Sequence, residues 1–232
     1  IEASLRLLIA HWMKKKNAII IGSPGPFSSY WRQWLAKRVM RSVDLITNRE
    51  PFSTAMLAYI GIRGGHIHNV ACPSVFFRPE PIELMPQNND FNKLFTQRKP
   101  TIGFILCGWN MPTPPFNKWP RDDVEYKPFI DLISFLIDRT DYRICIMAHQ
   151  NTTDSQGKLS RGNDHRIIAQ LIKLLGDKFD GERVFTLEGL YTAAQSKTII
   201  GAFDLLISGR IHGAVQGLSQ KIPTMIMDYG HE

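Results

Sequence analysis

Arg210 and His212 stand two residues apart in Ser208-Gly209-Arg210-Ile211-His212, and both types suit work on an anion. A guanidinium pairs with phosphate or carboxylate through a planar fork of two hydrogen bonds. An imidazole exchanges a proton near neutral pH. Ser208 and Gly209 complete a small polar turn whose backbone a ligand can approach. Comparable polar positions follow two other apolar runs: Arg49 and Ser53 in Asn48-Arg49-Glu50-Pro51-Phe52-Ser53, and His149 in Ala148-His149-Gln150. For Arg49 and Ser53, ligand contact stands level with a capping arrangement and an Arg–Glu surface pair. For His149, ligand contact stands level with a hydrogen-bonded structural role.

The elements around Arg210 decide what the cluster faces. Phe203–Ile207 reads as a strand, Ile211–Ser219 has helical spacing, and Ile222–Met227 is a second apolar run. Its opening Ile222-Pro223 is tolerated because no ladder hydrogen bond is yet required. In this β–α–β unit the cluster falls at a strand's carboxyl end and a helix's amino end, where free N–H groups and the helix dipole favour an anion. Upstream, Ala18–Ile21, Val43–Thr47 and Ile67–Val70 read as strands, with helices over Tyr30–Met40 and Thr54–Ile60, the latter ended by Gly61. The loop Gly22–Ser29 has neither a GxGxxG fingerprint nor a phosphate-loop lysine. Downstream, strands at Pro100–Leu106, Tyr142–Ala148 and Arg183–Leu187 alternate with helices at Tyr126–Arg139, Asp164–Leu175 and Tyr191–Ile200.

Such alternation predicts parallel sheets covered on both faces. The Pro-, Asn- and Gln-rich stretch after Arg78 reads as a linker. The expected architecture is therefore α/β with two Rossmann-like domains. Residues 1–80 form part of an N-terminal domain, 81–99 a linker, and 100–232 a C-terminal, donor-binding domain. The first has too few strand–helix units for a full domain, so segments are expected to be missing at both ends. The long loop Gly108–Asp123 brings Trp109, Phe116 and Trp119, which either stack on a sugar or cover the core.

Of 232 residues, 44% are hydrophobic and 21% charged, ordinary values for a globular chain. The formal charge of +7 favours acidic partners: phosphorylated metabolites, anionic lipid surfaces or nucleic acid. Helical spacing over Ile1–Met13 ends in Lys14-Lys15-Lys16, which complements a helix dipole or forms a basic patch. Cys72, Cys107 and Cys145 are far apart without a CxxC pair, so neither a zinc site nor a disulfide framework is indicated, and a reducing compartment fits. No apolar run approaches the roughly 20 residues of a membrane span.

The ordered set of motifs resembles the polysaccharide pyruvyl transferase family. Ser208-Gly209-Arg210-Ile211-His212, then Ser219 and Ile222-Pro223-Thr224, is similar to its SxRxH…S…VPT pattern. Arg49-Glu50-Pro51-Phe52-Ser53, with Leu57 and Gly61, resembles its RExxS…L…G segment. Ala148-His149 resembles its PH step, and Asp228-Tyr229-Gly230-His231 its Y-S-H segment. The resemblance runs from about Ala18 to the end. Glu232 departs from it, standing where many members carry Lys, and the family's amino-terminal portion is missing.

The resemblance implies a GT-B-like fold. It also implies transfer of an enolpyruvyl-derived group from phosphoenolpyruvate to a polysaccharide or lipid-linked glycan, making a pyruvate ketal. In that reading Arg210 and His212 are catalytic, with His212 the general acid. Arg49, Ser53, His149, Ser208, Gly209 and His231 contact substrate. No metal or cofactor is expected beyond phosphoenolpyruvate as donor, and no nucleic acid is expected as partner. The expected location is cytoplasmic, and the net charge of +7 suits peripheral contact with the membrane surface. The alternatives are a GT-B glycosyltransferase or sugar-nucleotide epimerase, which would bind a nucleoside diphosphate, and a non-catalytic family member.

Overall fold

The computed structural model describes residues 2–25, 27–85, 89–97, 99–106, 122–150, 164–187 and 189–227. His231, Glu232, Cys107, Trp109, Phe116 and Trp119 lie outside them. The chain divides into two compact units, Ile1–Phe76 and Phe77–Glu232.

The first unit contains α1 (Glu2–Trp12), β1 (Ala18–Gly22), α2 (Tyr30–Met40), β2 (Leu45–Asn48), α3 (Pro51–Tyr59) and β3 (Ile67–Asn69). Its strands form a parallel sheet in the order β1-β2-β3. Ile46 of β2 and Leu57 of α3 are fully buried, with Ala36 and Val39 of α2 also nearly inaccessible. Ile20 of β1 is 59% exposed, as fits a strand at the sheet's edge among the described residues. Helix α3 starts three residues before the Thr54 expected from the periodicity. Pro51 occupies its first turn, where a missing N–H costs nothing. Gly61 follows with φ 77°, the left-handed conformation that glycine adopts without a Cβ clash.

The second unit contains α4 (Asn89–Thr96), β4 (Thr101–Ile105), α5 (Lys127–Arg139), β5 (Arg143–Ile146), α6 (Asp164–Leu175), β6 (Val184–Thr186), α7 (Ala193–Ile200), β7 (Leu205–Ser208), α8 (Ile211–Ser219) and β8 (Thr224–Ile226). All neighbouring strands are parallel, in the order β6-β5-β4-β7-β8. The connections run outward one way through β5 and β6 and the other way through β7 and β8. The topological switch point therefore lies between β4 and β7, where open α/β sheets bind ligands beyond the strands' carboxyl ends. Every residue of β4 and β5 is buried, which is why Ile102–Ile105 and Ile144–Ile146 read as continuous rather than alternating apolar runs.

The stretch read as a linker is instead part of the second unit. Phe91 and Leu94 of α4 are 1% and 5% exposed, and Met85 joins the same core cluster. Arg143, itself 4% exposed, donates to the carbonyls of Lys93 and Lys99 and to Thr101 Oγ1, fastening α4 to the sheet. The Thr198 hydroxyl donates to the Glu80 carbonyl (2.6 Å), and the Lys197 ammonium to that of Phe77 (3.0 Å). Polar composition hid a short helix whose Phe91, Leu94 and Phe95 share one face at i, i+3, i+4 spacing.

One close approach sets how tightly the second sheet packs. A Cβ on Gly103 in β4 would meet the ring of Phe203 at 2.1 Å, and Phe203 is 3% exposed. Gly103→Ala is therefore expected to destabilise the protein by ~1–3 kcal/mol, the usual cost of forcing extra atoms into a filled core. Urea unfolding would read this as a lower midpoint at unchanged slope.

Candidate active site

Ser208 closes β7 and is fully buried. Its hydroxyl donates to the Arg210 carbonyl (2.8 Å) and accepts from the Arg210 N–H (3.2 Å), folding the turn back on itself. The Gly209 N–H donates to the Ile105 carbonyl of β4 (2.8 Å), and the Met227 N–H to the Ser208 carbonyl (2.9 Å). The turn is thus tied to a strand on either side. Arg210 is the N-cap residue of α8 and supplies no side-chain cap, so the helix's amino end keeps its dipole for another partner.

The first turn of α8 lies against the ends of β4 and β5. A Cβ on Gly213 would meet Ile105 Cδ1 and Ser208 Oγ at 2.9 Å and His149 Cδ2 at 3.4 Å. Only a residue without a side chain allows the helix to come this close. His149 is thereby held beside Ser208, while His212 in the same turn is exposed.

The residue that organises this cluster escaped the reading of the sequence. Asp164, at the start of α6, is 1% exposed. One carboxylate oxygen accepts from the Arg210 guanidinium. The other accepts from the backbone N–H groups of His149 (3.1 Å) and Gln150 (2.7 Å), and the Asp164 N–H donates to the Gln150 carbonyl (3.0 Å). One buried carboxylate therefore fixes both the cationic side chain after β7 and the loop after β5. At a helix start it reads as an ordinary first-turn acid, and its partner Arg210 is 46 residues away, so no local signal marks it. Arg210 Nε is buried with no hydrogen-bond partner among the described residues. The guanidinium is thus only partly used by the pair.

Burial holds the His149 pKa below its ordinary value, and electrostatic interactions with Arg210 and His212 lower it further against an opposing pull from Asp164 and Gln216. The ring therefore favours its neutral form more than a free imidazole does. Gln216 of α8, 3% exposed, is a second buried polar residue, after Asp164, that the sequence reading did not single out.

Of the residues singled out in the sequence, Ser208, Gly209, Arg210, His212 and His149 come together in the second unit. Arg49 and Ser53 belong to the first. There Arg49 Nε donates to Ser23 Oγ (2.6 Å) and pairs with Glu50 (3.3 Å), and the buried Ser53 hydroxyl donates to Glu50 (2.5 Å). The hydrogen bond from Ser53, then Ser23 and Arg49, keep the Glu50 carboxyl below its usual range against the effect of burial. The Arg–Glu pair considered from sequence is therefore present, and Ser53 supports it rather than capping α3. Just before this cluster Ile21 has φ 58°, rare for a β-branched residue, and its N–H donates to Thr47 Oγ1 (2.6 Å).

Parallel α/β units with a polar cluster beyond the strands' carboxyl ends define a Rossmann-like, GT-B-like protein. Solved structures agree on the fold. The UDP-N-acetylglucosamine 2-epimerase of Rickettsia bellii matches with TM-score 0.57 and 12% identity over 100% of this chain and 55% of its own. S. aureus MnaA with UDP matches with TM-score 0.60 and 12% identity over 95% and 53%. The Methanocaldococcus jannaschii UDP-GlcNAc 2-epimerase, in complex with UDP-GlcNAc and UDP, matches with TM-score 0.57 and 14% identity over 94% and 55%. The chain spans about half the length of these proteins. No curated protein matches it in sequence. The chain belongs to the polysaccharide pyruvyl transferase family, whose profile matches residues 2–231.

Two outcomes follow from this geometry. Asp164→Ala strands a mostly buried guanidinium, and breaking such a pair costs ~3–5 kcal/mol. Its effect and that of Arg210→Met are expected to be strongly non-additive in a double-mutant cycle read by denaturant unfolding. The lowered His149 pKa means that the unfolded chain binds a proton more readily than the folded one. Stability conferred by neutral His149 is therefore complete above its unfolded value near 6.5 and is lost as pH falls toward the folded value. His149→Gln is expected to flatten the acid-side slope of stability against pH. A slope remains from His165, which burial also lowers.

Proposed function

We propose that the protein transfers the enolpyruvyl-derived group of phosphoenolpyruvate to a sugar of a polysaccharide or lipid-linked glycan, forming a pyruvate ketal. The observation that supports this most is the convergence of Arg210, His149 and His212 at the uncapped amino end of α8, ordered by Asp164. Family membership supplies the class of reaction.

Phosphoenolpyruvate carries a carboxylate and a phosphate close together and needs several directed donors. The unused edge of the Arg210 guanidinium and the first amides of α8 offer them on one side. Because Asp164 offsets the charge of Arg210, anchoring rests on hydrogen-bond direction and the helix end more than on net charge. In the proposed role His212 delivers a proton to the methylene carbon, making an oxocarbenium-like centre that a sugar hydroxyl attacks. The C–O bond to phosphate then breaks, and a second hydroxyl closes the ketal as inorganic phosphate departs. One hydroxyl proton restores the acid and the other leaves to a base, a part that neutral His149 suits. In this reading His231 assists at the phosphate, and the enzyme works in the cytoplasm with peripheral membrane contact.

A second reading has a specific basis: a solved structure of like fold holds UDP-GlcNAc and UDP, so a nucleotide-sugar enzyme is the competitor. Calorimetric titration separates the two. Phosphoenolpyruvate is expected to bind, UDP not, and Arg210→Lys to weaken binding by about tenfold or more, because lysine keeps the charge but loses the fork. Binding of UDP without phosphoenolpyruvate would overturn the pyruvyl reading.

A further inference from the structure

One face of the first unit is used by none of the chemistry above. Along α2 and its C-cap residue Arg41, Trp31, Trp34, Arg38 and Arg41 follow i, i+3, i+7, i+10 spacing, which gathers them within an arc of about 80°. The opposite side of the helix carries Ala36 and Val39 into the core. Trp31 and Trp34 are 61% and 48% exposed, and their rings stack with centroids 5.0 Å apart. The end of α1 adds Trp12, 82% exposed, and Lys14–Lys16. Between the two helices lies a cavity of about 540 Å³ lined by Trp12, Trp34, Lys37, Arg38 and Arg41 among others, with no acidic side chain.

Charge and aromaticity together narrow what fits this face. From Phe27 to Val43 the chain has four basic residues (Arg32, Lys37, Arg38, Arg41) and no acidic one. Lys37, Arg38 and Arg41 have no acidic partner among the described residues. Asp44, the acid beside the cavity, is taken by Lys16 (2.9 Å) and the Asn17 N–H (3.0 Å). Covering this face with protein would desolvate several cations unless the cover supplied matching carboxylates. A layer of anionic lipid headgroups supplies phosphate to the cations, and its boundary with the acyl chains accepts tryptophan rings, which are apolar with one polar edge. No helix among the described residues is long and apolar enough to cross a membrane, so the contact would be peripheral.

We infer that the α1/α2 face docks onto an anionic bilayer surface, with Trp12, Trp31 and Trp34 at the headgroup level and Lys37, Arg38 and Arg41 on lipid phosphates. This deepens the membrane-contact part of the proposed function and is independent of the donor chemistry. The test is flotation of the full chain with phosphatidylcholine vesicles containing 30% phosphatidylglycerol, against phosphatidylcholine alone, with tryptophan emission followed in parallel. Expected are salt-sensitive binding to the anionic vesicles and a blue shift of the emission. Arg38→Gln/Arg41→Gln is expected to lower partitioning by about 10–30-fold, from roughly 1 kcal/mol per basic residue near the surface. Trp31→Ala/Trp34→Ala is expected to abolish most of the blue shift. Absence of binding, or binding that neither variant alters while circular dichroism shows both folded, would overturn the inference. So would binding with no emission shift that soluble polyphosphate fully displaces, since that marks a general polyanion surface. Calorimetry on the same Arg38/Arg41 variant separates this from the reading of the active site: phosphoenolpyruvate binding is expected to be unchanged.

Discussion

Asp164 is the constraint on which the candidate site depends. A carboxylate with almost no exposure is tolerable only if its charge is met, and here three donors meet it: the Arg210 guanidinium and the N–H groups of His149 and Gln150. Low local dielectric strengthens such a fully satisfied group and makes loss of any partner costly. The arrangement therefore couples two segments that are distant in sequence. Where Arg210 points and how the loop after β5 runs are set by one residue that itself needs no contact with substrate.

The sheet makes that coupling possible. In parallel α/β units all strands deliver their carboxyl ends to the same edge, so residues following β4, β5 and β7 arrive as neighbours. The approach is close because glycine occupies the contact points. Gly103 admits the Phe203 ring against β4, and Gly213 lets α8 press on Ile105, Ser208 and His149. Larger residues at either place would push the elements that carry Arg210 and His149 apart.

The first unit contributes a different kind of surface. Beyond β1 and β2 it holds a polar cluster of Ser23, Arg49, Glu50 and Ser53 in which charge is internally paired. Cys72, after β3, belongs to the same neighbourhood: burial raises its thiol pKa, but Ser74 and Arg49 outweigh that and leave it lowered. On its α1/α2 face, by contrast, Lys37, Arg38 and Arg41 have no acidic partner among the described residues, and tryptophans remain in solvent. The same unit thus combines a self-compensated polar site with an uncompensated basic and aromatic face.

Sequence alone determined the alternation of strands and helices, because each buried strand of a parallel sheet is a continuous apolar run and each helix carries its own period. It located Ser208-Gly209-Arg210-Ile211-His212 at a strand end and a helix start, since both boundaries are written locally. It also carried the family, through motifs in a fixed order. It did not reveal that Asn89–Thr96 is a helix of the second core, because its apolar face is only a few residues long amid Pro, Asn and Gln. Asp164 was equally invisible. Its role exists only through Arg210, and the energy of that pair arises when the sheet brings them together and excludes water. The state of His149 was likewise decided by the tertiary structure. An imidazole's proton affinity depends on what surrounds it, and here burial beside Arg210 and His212 favours the neutral form.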